Sequence, residues 1–488
     1  MFDLLTSVQK KEKPMEFLSA STSSSISLEN IQDHIIGYYQ KVPLLNGQTR
    51  QYINFDNAAS TPSLKPVMDT VNEFMLWYSS IHRGTGFKSQ LCSAMFDSAR
   101  EIVAEFLQVD PQANAIIFVK NATEAINKLA HRLPVEKDQV ILVSKMEHHS
   151  NDLPWRAVAP VIHINITKDG RLDEEDLIEK LKQYHRRVAL VALTGAANVT
   201  GWVNDINRLA AICHEHHTRI LIDAAQLAPH RQINMKPQND PEHVDFLAMS
   251  AHKIYAPLGA GVLVGPKDFF DRGDPDYVGG GTVKIVGLDY VHWSEAPEKE
   301  EAGTPNTVGV IAMAKTLQTL MTLGMDKVAE HEKKLTRYIL KRLKEVPNLE
   351  IYGGTDPNEV DHRLGVIAFN IHDVPHALTA AILNYEGGIG VRNGCFCAHP
   401  YVKALIGISE QEAKKVEQEI LKGDYSRLPG AVRASFGVYN TMKEIDLFIE
   451  TLQKIAYQTY EGNYVLDRER GEYHPRDFQL PFEDYFRL

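Results

Sequence analysis

The amino-acid sequence predicts an α/β fold, a mainly parallel sheet covered on both faces, followed by a second, smaller strand-and-helix region. Three observations carry that expectation. Short apolar runs alternate with helix-length segments from Ala115 to Val264, as strands joined by crossover helices do. The runs are continuous rather than alternating, the pattern of strands buried on both faces. Several lead straight into polar segments (KNATE, SKMEHHSN, DAAQ, SAHK), which sets reactive side chains at strand ends, where open α/β sheets bind ligands.

In chain order, the polar, serine-rich stretch from Met1 to about Ile26 predicts a disordered tail. Ser27 is expected to cap a helix carrying Ile31, Ile35 and Ile36. Tyr52–Phe55 reads as a short strand running into DNAAST. Pro66–Trp77 and Met95–Phe106 read as amphipathic helices, with Cys92 near the start of the second. Strand-like runs follow at Ala115–Phe118, Gln139–Val143, Val161–Ile166, Val188–Leu193, Arg219–Asp223, Phe246–Met249 and Val262–Val264, and Val203–Glu215 reads as a helix that buries Cys213. From Val308 to about Lys344 a long helical stretch leaves the large domain. Strands are expected at Val366–Ile371, Gly390–Arg392 and Ala431–Phe436, and helices at Val374–Leu383, Glu410–Lys422 and Ile445–Tyr457. Glu461–Leu488 is aromatic and charged with neither period, and reads as an arm draped over the body, with a partner-binding segment as the alternative.

At 488 residues the chain has room for two or three domains. Its net charge of −11 disfavours nonspecific nucleic-acid binding. Four cysteines (Cys92, Cys213, Cys395, Cys397) make no disulfide framework and point to a reducing compartment. No apolar run approaches the ~20 residues of a membrane span, and the N-terminus lacks the apolar core of a secretory signal. The cytoplasm is the expected location.

The chemistry centres on Arg219–Gly265. An acid, Asp223, and a lysine, Lys253, at neighbouring strand ends suit a pyridoxal phosphate site: the lysine holds the cofactor covalently and the acid keeps the pyridine nitrogen protonated. KNATE, Lys120–Glu124, sits where a strand turns into a helix and offers an anion site with Thr123 as an added donor; on spacing alone a simple helix cap is the simpler reading. In EHHSN, His148 or His149 can lie on the pyridine ring. Two adjacent histidines could also ligate a metal, but no acid or cysteine pattern completes such a site, and no metal is expected. Arg433 lies in an apolar strand and suits a carboxylate, either that of a substrate or that of an acid elsewhere in the chain.

DAAQ followed by SAHK, each after a strand, resembles the class V aminotransferase family, in particular its cysteine desulfurase and selenocysteine lyase branch. The resemblance runs from about Ser27 to Tyr457. It implies pyridoxal phosphate fold type I: a large domain (51–318) with a mainly parallel seven-stranded sheet, and a smaller α+β domain (319–460) joined by the N-terminal arm (27–50), with a tail from 461. It implies that Thr123, Ser250 and His252 contact the cofactor phosphate, that His148 stacks on the ring, and that Asn198 and Gln226 lie near its phenolic oxygen. Arg433 would grip the substrate α-carboxylate. Thr304, in EAGTPN, would reach the phosphate of a second subunit, so a homodimer is expected. His82 and Arg83 match a further substrate-site segment; Gly86 stands where the branch commonly carries a second histidine.

Cys397, in VRNGCFCAHP, aligns with the desulfurase nucleophile, with Arg392 and His399 placed to favour its thiolate. The resemblance thus implies conversion of L-cysteine (or selenocysteine) to L-alanine, Lys253 moving the α-proton and Cys397 taking the sulfur as a persulfide for an acceptor protein or cofactor. Other class V reactions, namely transamination, epimerisation or C–S cleavage without persulfide, are the alternative. A non-catalytic assembly protein would need none of Asp223, Lys253, Arg433 and Cys397. Cys395 and Phe396 stand where close relatives have histidines; this G-C-F-C loop resembles that of molybdenum cofactor sulfurases.

Overall fold

A computed structural model describes residues 26–82 and 84–488; Arg83 and residues 1–25 of the expected 1–26 tail lie outside the described residues. Seven strands form the large sheet: β1 (Asn114–Val119), β2 (Val140–Ser144), β3 (Val161–Ile164), β4 (Val188–Thr194), β5 (Ile220–Asp223), β6 (Phe246–Ser250) and β7 (Gly261–Pro266). Their order is β1-β7-β6-β5-β4-β2-β3, parallel except for β7, which is antiparallel to both neighbours. Successive residues of one strand feed two separate cores: Ile116, Phe118, Leu142, Ile222 and Met249 pack on one face, and Ile117, Ile141, Leu221, Ala248 and Leu263 on the other. Burial on both faces is why these strands read as unbroken apolar runs.

A second sheet, β8 (Leu349–Tyr352), β9 (Val366–Ile371), β10 (Arg392–Gly394) and β11 (Ala431–Ser435), is antiparallel with order β8-β9-β11-β10. It shares a core with helices α3 (Met325–Arg342), α4 (His376–Gly387) and α5 (Met442–Ala456), numbered after α1 (Ala122–Arg132) and α2 (Thr307–Leu323). Residues of the N-terminal arm touch both bodies: Ile31 and Ile35 join the large core, while the Leu45 amide donates to the Tyr385 carbonyl.

Two local readings are corrected, and the expected C-terminal arm takes a defined form. The helix expected from Val308 to Lys344 is two helices, α2 and α3, bent by 77° at Gly324, whose φ of +84° no β-carbon-bearing residue adopts cheaply. Ser27 caps no helix: its N–H and hydroxyl bind the Asn30 side chain ahead of a single 3₁₀ turn, Ile31–His34, and Ile36 is exposed. The C-terminal segment forms a hairpin, β12 (Tyr464–Asp467) and β13 (Glu472–Pro475), against α4, where Glu386 accepts from the Gly462 amide and the Tyr464 hydroxyl. Strands this short leave no readable period. Among the described residues no single helix is long and apolar enough to cross a membrane.

Candidate active site

The carboxyl ends of β1, β2, β4, β5 and β6 open on one cavity of about 270 Å³, closed from the other side by residues of the second sheet. Asp223 and the Lys253 turn stand at adjacent ends because β5 and β6 pair in parallel, Asp223 opposite Ala248. Asp223 accepts from the Ala225 amide at 3.0 Å; burial pushes its carboxyl up, opposed by that bond and by Lys253. Burial pushes the Lys253 ammonium down to about 8, against the pull of Asp223. His252 is likewise pushed down to about 4 by burial and then by Lys253, so its imidazole is neutral near pH 7. Its carbonyl anchors the Ser60–Thr61 segment.

At the start of α1, Asn121 caps the Glu124 amide at 3.0 Å, the Ala122 amide donates to the Ser250 hydroxyl at 2.7 Å, and the Thr123 and Ser150 hydroxyls lie 2.7 Å apart. Hydroxyls and amides therefore converge on one end of the cavity beside the positive end of a helix dipole. His148 also lines the cavity. Its Nδ1 accepts from the Ser150 amide at 3.1 Å, which leaves the proton on Nε2, and burial, then the Lys253 charge, push it down to about 3. Gln226 donates to the Ala58 carbonyl at 2.7 Å. Asn198 donates to the Phe396 carbonyl at 2.8 Å, and its buried Oδ1 has no partner.

Arg433 enters from β11, 3% exposed. Its Nη1 donates to the Asn198 carbonyl and its Nη2 to Asp56 Oδ1, both at 3.0 Å; Nε is buried without a partner. The other Asp56 oxygen takes Arg392 at 2.9 Å. Two arginines on one carboxylate leave a net positive charge beside Cys397, the exposed cysteine that lines the same cavity. Cys395 does not line it: its buried thiol points to the Pro429 carbonyl at 3.0 Å, and burial pushes it up to about 11.

Of the residues singled out from sequence, Thr123, His148, Asn198, Asp223, Gln226, Ser250, His252, Lys253, Arg392, Cys397 and Arg433 line this cavity. Thr304 and His82 do not. Thr304 is exposed, and His82 lines a separate recess of about 340 Å³ with Gly303 and Pro305. Asp56, Ser150 and Phe396 were missed. An acid directly after the Tyr52–Phe55 strand was a readable signal for the first. Among the described residues, His214, His243 and Asp245 bring metal-ligand atoms within 4.8 Å of one another at the opposite end of the sheet; the two rings stack at 25°, so their lone pairs run side by side rather than converge.

Fold and cavity together define a class of enzyme. The family model of class V aminotransferases (Aminotransferase class-V) matches residues 53–448, and the chain belongs to that family. Among curated proteins it is 33% identical to a probable cysteine desulfurase of Pyrococcus abyssi, over 84% of this chain and 95% of the relative. It is 33% identical to a cysteine desulfurase of Klebsiella pneumoniae, over 84% and 94%. Among solved structures, the apo cysteine desulfurase of Thermococcus onnurineus superimposes with a TM-score of 0.76 at 30% identity, covering 89% of this chain and all of that one.

Proposed function

We propose that this protein is a pyridoxal phosphate-dependent cysteine desulfurase, converting L-cysteine to L-alanine with the sulfur left on Cys397. The observation that carries the reading is the meeting, in one cavity, of Lys253 and Asp223 from adjacent strand ends with Arg433 from the second sheet and Cys397 from the turn after β10. The residues fit the cofactor: the α1 N-terminus with Thr123, Ser250 and His252 suits its phosphate, and Asp223 its pyridine nitrogen. The unpartnered Asn198 Oδ1 and the Gln226 amide mark further polar positions in the cavity. When bound, the cofactor supplies an electron-withdrawing ring that acidifies the substrate α-C–H and makes the sulfur a leaving group.

The chain's residues do the rest. Arg433 orients the α-carboxylate, its Nε being the donor that no protein group uses. Lys253, with its ammonium held near 8 by burial, is partly free amine at neutral pH and moves the α-proton. The neutral His148 would lie against the cofactor ring. The Cys397 sulfur bonds to the substrate sulfur as the substrate Cβ–S bond breaks, so one thiol and one cysteine give one persulfide and one alanine. The terminal sulfur then passes to a protein or small-molecule acceptor. A second copy of the chain supplies Thr304 and His82, which stand outside the cavity of their own protomer. Thiolate chemistry of this kind fits a reducing compartment, the cytoplasm.

The experiment is to load the protein with pyridoxal phosphate, add L-cysteine, and measure alanine together with the mass of the Cys397 peptide. Equimolar alanine and a 397 persulfide in the first turnover is the expected result. Alanine with an unmodified Cys397, or no alanine, rejects the proposal.

A further inference from the structure

We propose that His149 is a positioning residue for Cys397: its backbone and its neutral imidazole together latch the turn that carries the thiol. The role of Cys397 as nucleophile rests on the function proposed above; the latch itself is geometric. Phe396 and Cys397 both have left-handed backbone, φ +53° and +55°, a conformation that side-chain-bearing residues hold only when their surroundings impose it. The surroundings do so at three points. The Asn198 amide donates to the Phe396 carbonyl at 2.8 Å. The His149 backbone N–H donates to the Cys397 carbonyl at 2.7 Å, and the His399 N–H donates to His149 Nε2 at 3.2 Å. One residue thus grips the chain on both sides of Ala398.

A backbone amide can only donate, so Nε2 is the lone-pair nitrogen and Nδ1 carries the proton. The adjacent His148 has the opposite tautomer, Nδ1 accepting from Ser150. The doublet therefore splits into one imidazole facing the cavity and one outside it that faces the cysteine turn. The groups facing His149 are Asp152, Arg156 and His148 from its own segment, and His399 across the gap, whose ring lies 4.8 Å away with Lys403 one turn further on. Burial holds His149 below the ordinary histidine range against the pull of Asp152, so the acceptor is available at neutral pH and is lost as the solution becomes acidic.

The test compares His149→Leu, which keeps the backbone N–H and removes the acceptor, with His149→Gln, which restores an acceptor oxygen. The first readout needs no cofactor: the iodoacetamide labelling rate of Cys397, by peptide mass spectrometry. The second is single-turnover persulfide formation in the loaded enzyme. His149→Leu should shift the labelling rate and slow persulfide formation about tenfold, the factor one hydrogen bond carries. Melting temperature and cofactor retention should stay at the wild-type values, and His149→Gln should recover both rates. Wild-type rates in His149→Leu, or a Gln variant as impaired as Leu, overturn the latch. If the Leu variant does not fold, the pH series decides. Labelling of the wild type should depart from that of His149→Gln as the pH falls below the ordinary histidine range, and superimposable profiles overturn it. Should wild-type enzyme form no persulfide at Cys397, the functional reading fails while the labelling arm still judges the latch.

Discussion

Arg433→Lys separates the proposed carboxylate grip from a purely structural charge. The guanidinium is buried in β11 and its three nitrogens differ: Nη1 holds the Asn198 carbonyl, Nη2 holds Asp56, and Nε is buried without a protein partner. The guanidinium carbon also lies 5.0 Å from the centre of the Phe396 ring. A lysine keeps the positive charge but offers a single nitrogen. It cannot hold Asp56 and Asn198 while also presenting a planar fork to a substrate.

Hydrogen bonds to a charged group are worth roughly 1.5–3 kcal/mol each. Losing one to the α-carboxylate should therefore raise KM for L-cysteine by about ten- to a hundredfold. The Lys253–Asp223 end of the cavity is untouched, so the cofactor absorbance of the variant should match wild type and kcat should fall much less than kcat/KM. The assay is initial-rate alanine release against cysteine concentration, with the absorbance spectrum recorded on the same sample. An unchanged KM with a collapsed kcat would refute the grip. Loss of bound cofactor would show that Arg433 organises the whole site.

Other outcomes follow from single contacts. Cys397→Ser should abolish alanine and persulfide formation, whereas Cys395→Ser should keep alanine formation, because the Cys395 thiol is tied to the Pro429 carbonyl and lies outside the cavity; mass spectrometry after one turnover checks both. Thr304→Ala should weaken pyridoxal phosphate retention roughly ten- to a hundredfold in a dimer, measured by cofactor titration beside sedimentation; a monomer that holds the cofactor fully would reject the shared site. Glu332→Gln should cost roughly 3–5 kcal/mol at pH 7, since Glu332 is buried between His230 and Arg231. Burial alone would raise its carboxyl, but those partners hold it at about 2, below the model-compound 4.5. A depressed acid stabilises above its unfolded value and loses that contribution as pH falls through its folded one, so the gap in melting temperature between the two proteins should close between pH 4.5 and 2.

What the sequence disclosed and what it hid divide by range. Asp223 and Lys253 each end an apolar run, so strand pattern and residue type together mark them, and parallel pairing of β5 with β6 brings them side by side. The hidden features are long-range. Arg433 and Asp56 are 377 residues apart, and no local pattern announces that pair, although a buried arginine demands some acid. The bend at Gly324 was hidden because two helices abut there with a single residue between them, and the tail hairpin by strands of four residues. Thr304 and His82 are a different case. Their residue types and motifs stand out, but both lie outside the cavity.

The two cysteines show why residue spacing alone could not choose a nucleophile. In a regular strand, positions 395 and 397 would share a face, and both thiols would reach one substrate. That alternation ends with β10 at Gly394, whose φ of +104° starts the turn, and the left-handed Phe396 and Cys397 complete it. The turn sends one thiol inward to a carbonyl and leaves the other exposed at the cavity. Burial raises the inward thiol, which removes the thiolate that sulfur transfer needs. The exposed one stands within electrostatic range of Lys253 and Arg433. A Cys-x-Cys pair that looks equivalent in sequence is thus made inequivalent by the positive φ at 394, 396 and 397. A strand-like loop at this position would have presented both thiols to the cavity; the turn presents Cys397 alone.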